Sequence, residues 1–127
     1  MVTDDLIDAL LDLKHDLGKY LRLPLAFLPA EAPPDEVTEA VHRALFQTRT
    51  RSDGTTTSAE QLWQAFVREV GDEVVAEPPF ESLRTAVTRA LAWRDALGQP
   101  GLNRARAAED LAAVGRAIGD LISELNA

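Results

Sequence analysis

Leucine recurs at positions 6, 10, 13, 17 and 21, with Tyr20 alongside and mostly polar residues between. Steps of three and four place these side chains on one stripe of a 3.6-residue helix. The pattern predicts a first helix over 4–23, capped by Thr3, with Asp4 and Asp5 at the positive end of its dipole and Pro24 as its stop. Leu25-Ala26-Phe27-Leu28-Pro29 then reads as an apolar linker that packs down on the body. Val37, Val41, Ala44 and Leu45 mark the inward face of a second helix over 35–48, opened by Pro34 or Asp35. Ile7, Leu11 and Phe46 fall beside or opposite these stripes, which makes them candidates for a self-association or partner surface.

The helical period is lost over 49–57. Asp53-Gly54 ahead of three threonines is a hairpin signal, and the polar flanks predict an exposed loop or a short ribbon. Ser58, with Gln61 three positions on, forms a capping box that opens a third helix. That helix buries Leu62, Trp63, Phe66 and Val70 and closes at Gly71. Pro78 and Pro79 open a fourth helix over 80–97, ended by Gly98 and Pro100. Asn103 caps a fifth, which runs to residue 125 on Leu111, Val114, Ile118, Leu121 and Ile122. Gly115 and Gly119, four apart on it, allow another helix to approach closely. The expected fold is an all-α antiparallel bundle of four to five helices, with a polar loop or short ribbon between the second and third. It forms a single helical domain over 1–127.

Composition narrows the function classes. A chain of 127 residues that is 46% hydrophobic can close a core without staples. The absence of cysteine excludes disulfides, thiolate zinc sites and iron–sulfur clusters. The acidic first residues and the lack of a long apolar run lead to the expectation of a cytoplasmic protein with no membrane contact. A net charge of −8 opposes nucleic acid as a partner, because that association depends on cations neutralising phosphates.

The run Lys14-His15-Asp16-Leu17-Gly18-Lys19-Tyr20 carries the densest chemistry. At about 100° per residue, His15 falls roughly opposite the leucine stripe and faces outward. A free imidazole can attack phosphorus, Lys19 one turn later can balance the transferred charge, and Asp16 can orient the ring. His15, Leu17, Gly18 and Lys19 resemble the acceptor motif of histidine-containing phosphotransfer domains, with Gly18 and Lys19 in swapped order. His15-Asp16-Leu17 is similar to the start of the dimerisation helix of histidine kinases, with Lys19 where that family has Asn or Thr. These resemblances imply phosphotransfer through His15, helped by Lys19.

Three further patterns point to metals. His15-Asp16 also resembles the core of HD-type phosphohydrolases, with His42 as a downstream ligand but no histidine upstream. Asp12 with His15, and Glu39 with His42, show the carboxylate–histidine spacing of di-iron bundles. Glu36 with Glu39, and Glu69 with Asp72, are similar to the magnesium-binding pairs of MazG-like nucleotide pyrophosphohydrolases. That resemblance implies carboxylates holding Mg²⁺ against a triphosphate.

Arg43, Arg49 and Arg51 form a local positive cluster able to receive a phosphate or an acidic partner. Together these features are read as a small non-enzymatic protein-interaction or signalling module, with a protein partner or self-association and neither metal nor cofactor. His15, Lys19, Arg43, Arg49 and Arg51 are its contact set, and His15 is the best single candidate. The alternatives are phosphotransfer through His15 and a magnesium-dependent hydrolase using Glu36, Glu39, Glu69 and Asp72.

Overall fold

The structure, a computed structural model, describes residues 4–127, so the cap expected from Thr3 lies outside the described residues. Two long helices frame the molecule, α1 (Asp4–Ala26) and α6 (Arg104–Asn126), and between them in sequence come α2 (Pro34–Phe46), α3 (Ala59–Val70), the single turn α4 (Asp72–Val75) and α5 (Glu81–Leu91). Strands β1 (Arg49–Thr50) and β2 (Thr56–Thr57) form a two-stranded antiparallel ribbon between α2 and α3. The fold is all-α, as the periodicity predicts. No described helix is long and apolar enough to cross a membrane.

The leucine stripe of α1 is buried throughout, from Leu6 to Leu25, and α1 packs against α2, α3 and α6. The same core cluster includes Val41, Ala44, Leu45, Phe80, Leu83, Leu111, Val114 and Ile118. Helices α1 and α6 run antiparallel. Gly18 meets Gly115, where a Cβ on either would lie 3.8 Å from the Cα of the other, while Arg104 at the start of α6 reaches the carbonyls that end α1. The absence of two side chains brings these backbones together.

Pro24 does not stop α1, which continues to Ala26. A helical proline leaves the carbonyl four residues earlier without a donor and pushes it aside. Here that carbonyl belongs to Tyr20, and the Arg49 guanidinium turns Nη2 toward it at 3.5 Å. Arg104 then donates to the carbonyl of Leu25 in the last turn (3.3 Å) and to those of Leu28 (2.6 Å) and Pro29 just beyond it, holding the end of the helix and the chain that follows with one fork. The following segment packs down only in part: Leu25 is buried and Leu28 half-buried, while Phe27 stands 80% exposed. Arg104→Ala should therefore cost about 1–3 kcal/mol, as expected when several carbonyls lose a charged donor. The loss should appear as a lower melting temperature together with faster amide exchange at Phe27 and Leu28.

Helix α2 ends two residues earlier than expected because Gln47 turns extended and leads into β1. The ribbon pairs Arg49 with Thr57 and Thr50 with Thr56. Its turn closes through Arg51 N to Thr55 O at 2.7 Å, with Gly54 at a φ of +87° that disfavours any side chain. The Asp53 carboxylate accepts from the Thr55 hydroxyl and amide, and these bonds hold its carboxyl below the usual range. The capping box at Ser58 and Gln61 is formed in both directions, and the Asn103 side chain caps α6 through the Arg106 amide.

The fourth predicted helix is broken. Pro78–Phe80 and Ala92–Ala96 are 3-10 turns on either side of α5, and α4 adds a turn at Asp72 that the periodicity does not predict. Arg84 accounts for part of this shape by donating to the carbonyls of Val75 and Glu77 (3.1 Å to the latter), which ties α4 to α5.

Candidate functional site: a cationic cleft on α1

The C-terminal half of α1 forms one wall of an open cleft of about 800 Å³, presenting His15, Asp16, Lys19 and Tyr20. Arg43 and Gln47, from the end of α2, face it together with Arg49, Thr50, Arg51 and Ser52 from the ribbon. Phe27 also lines it. His15, Lys19, Arg43, Arg49 and Arg51 thus line a single cavity, although they lie up to 36 positions apart (15 to 51) in the sequence. Asp16 is the one carboxylate among the residues lining it, in a chain with 21 Asp and Glu.

Arg49 is the most constrained of these cations. Its guanidinium lies over the Tyr20 ring, 4.2 Å from the centroid, and Nη2 makes long bonds to the carbonyls of Tyr20 (3.5 Å) and Arg43 (3.4 Å). Nη1 is buried and has no hydrogen-bond partner among the described residues. Loss of water pulls the Arg49 pKa below its ordinary value, against a smaller opposing effect from Tyr20. No carboxylate among the described residues pairs with it. Stacking on an aromatic face suits the weakly hydrated guanidinium, but a partly desolvated cation without a counter-charge is left unsatisfied.

Arg51 differs, since it pairs with Asp16 at 3.2 Å near the surface, where such a pair adds little stability. The contact also corrects the expectation that Asp16 orients His15, because the carboxylate is turned to Arg51 instead. His15 is exposed and its ring makes no hydrogen bond to a described residue. His15 and Lys19 also border a second cleft of about 1000 Å³ between α1 and α6, where Lys14, Arg22 and Arg116 add further positive charge.

The metal patterns fare differently. Among the described residues, no three His, Asp or Glu side chains come together as a possible metal site. Glu36 and Glu39 lie exposed on α2, Glu69 near the end of α3 and Asp72 at the start of α4, so the hydrolase set is not assembled. His42 leans on Phe46 (ring centroids 5.8 Å apart) rather than joining His15. Phe46 is also covered by the Arg94 guanidinium at 4.7 Å, and Arg94 is in turn held by Glu60, which removes Phe46 from the candidate docking surface. Ile7 is half-buried, while Leu11 remains exposed.

Sequence reasoning placed Tyr20 in the core and gave Phe27 no role at the site. A signal for Tyr20 was present, since Pro24 four residues later frees its carbonyl, but the donor that meets it comes from another element. Comparisons with known protein families, with curated proteins and with solved structures found no match for this chain.

Proposed function

We propose that this protein is a cytoplasmic, non-enzymatic interaction module of the signalling type, whose cleft between α1, α2 and the ribbon docks an anionic segment of a protein partner. The observation that carries this reading is the segregation of charge. Four fixed cations and His15 line one cleft with a single carboxylate, in a chain of net charge −8. A positive concavity on an acidic body steers and orients a negative partner more than it adds raw affinity. The test compares short acidic and neutral peptides of equal length by fluorescence anisotropy at two salt concentrations. Acidic peptides are expected to bind preferentially, with an affinity that falls as salt rises. Equal binding of neutral peptides, or no salt dependence, would overturn the reading.

Phosphotransfer through His15 is a second reading, favoured by a ring that is exposed, makes no hydrogen bond to a described residue and lies in the same cleft as Lys19. It expects acid-labile labelling from a small phosphodonor that disappears in His15→Ala, and labelling that persists in that variant contradicts it.

A further inference from the structure

We infer that the group this cleft takes is a phosphoryl dianion carried on the partner's segment, held by Lys19, Arg43 and Arg49, rather than a side-chain carboxylate. The inference rests on the docking reading above and specifies its ligand.

The cleft already contains one carboxylate, Asp16, which engages Arg51. Lys19, Arg43 and Arg49 remain without a carboxylate partner among the described residues. One carboxylate brings one charge and two oxygens, which leaves most of that excess unbalanced. A phosphoryl group brings between one and two negative charges and three acceptor oxygens, a closer match to three cations. Thr50 and Ser52, exposed on the same wall, add hydroxyl donors.

Arg49 points the same way. Its guanidinium is stacked over the Tyr20 ring, Nη2 makes only two long carbonyl bonds, and no carboxylate among the described residues pairs with it, so a fixed positive charge stands at the cleft wall even though Nη1 is buried. Planar guanidinium groups suit phosphate oxygens in geometry as well as charge. Phe27, 80% exposed and lining the cleft, offers an apolar contact for the side chain that bears the group.

The occupant is a discrete phosphorylated segment and not a polynucleotide or a lipid surface. The N-terminal half of α1 carries Asp4, Asp5, Asp8 and Asp12, all exposed. A long polyanion or an anionic membrane that followed α1 from the cleft toward its N-terminus would meet this repulsion.

The experiment uses peptide pools with a fixed central phosphoserine, glutamate or serine between randomised neutral positions, titrated into the full chain. Oligothymidylate and phosphatidylserine vesicles serve as the other arms. The phosphoserine pool is expected to bind at least about tenfold more tightly than the glutamate pool, and inorganic phosphate is expected to compete. Arg43→Gln should weaken phosphoserine binding about tenfold. Asp16→Asn should strengthen it by about threefold or more, because it removes a like charge and releases Arg51, an effect that a purely structural role for Asp16 would not produce. Equal binding of glutamate and phosphoserine overturns the phosphoryl assignment and leaves the docking reading standing. Binding of neither removes both. Tighter binding of the oligonucleotide or the vesicles overturns the assignment to a protein segment.

Discussion

Lys19→Glu combined with Arg43→Glu should lower the affinity for a phosphorylated peptide by about a hundredfold or more. Each wild-type side chain supplies a charge-assisted hydrogen bond worth about 1.5–3 kcal/mol, so losing two removes roughly 3–6 kcal/mol before repulsion is counted. Both positions are exposed and neither forms an ion pair among the described residues. The melting temperature should therefore change by no more than a few degrees, because surface substitutions away from special features are usually worth about ±0.5 kcal/mol. Calorimetric titration beside a thermal melt separates the two effects. A loss under about threefold with the fold intact would mean that these cations do not contact the ligand.

The largest stability effect is expected in the core, on the buried face of the N-terminal half of α1. Leu10 has no exposed surface and sits in the buried stripe of α1, the helix that packs against α2, α3 and α6. Leu10→Ala removes three carbon atoms where several elements meet and should cost about 2–5 kcal/mol, with the higher values if the cavity fails to collapse. Against a total stability of about 5–15 kcal/mol for a domain, that is a large share. Urea denaturation should show a lower midpoint with an unchanged slope. A change below about 1 kcal/mol would mean that α1 is not clamped between its neighbours as described.

Local features of this fold were legible in the sequence because their causes are local. The leucine stripe follows from helical spacing, the capping box needs only Ser58 and Gln61, and the outward placement of His15 follows from its angle to that stripe. The passage of α1 through Pro24 was not legible, because its rescue depends on distant residues. Arg49 reaches Tyr20 from the ribbon, and Arg104 reaches Leu25 across 79 positions. The broken fourth helix was hidden for a related reason: Arg84 ties α5 back to α4, and the prolines favour a tight turn over a full one.

The candidate residues of the site were visible one by one, but their meeting was not. Lys19 and His15 came from one motif, and Arg43, Arg49 and Arg51 from another. Only the folding of the ribbon against α1 places the two groups around one cavity. Asp16 shows the opposite error. Its position beside His15 suggested a contact between them, whereas adjacent helical residues point about 100° apart and the carboxylate finds Arg51. The spacing of Glu36, Glu39, Glu69 and Asp72 reflects an acid-rich surface, and although α2, α3 and α4 pack in sequence, no three acidic or histidine side chains come together among the described residues.

The most direct test of the cleft as a phosphoryl-binding site is a nitrogen–proton correlation spectrum recorded while a phosphoserine peptide is added to the 127-residue chain. The account predicts shifts concentrated at His15, Lys19, Tyr20, Arg43 and 49–52, including the Arg49 side-chain resonance, with α5 and the N-terminal half of α1 unmoved. Shifts centred on those acidic turns, or a spectrum unchanged at saturating peptide, would contradict it.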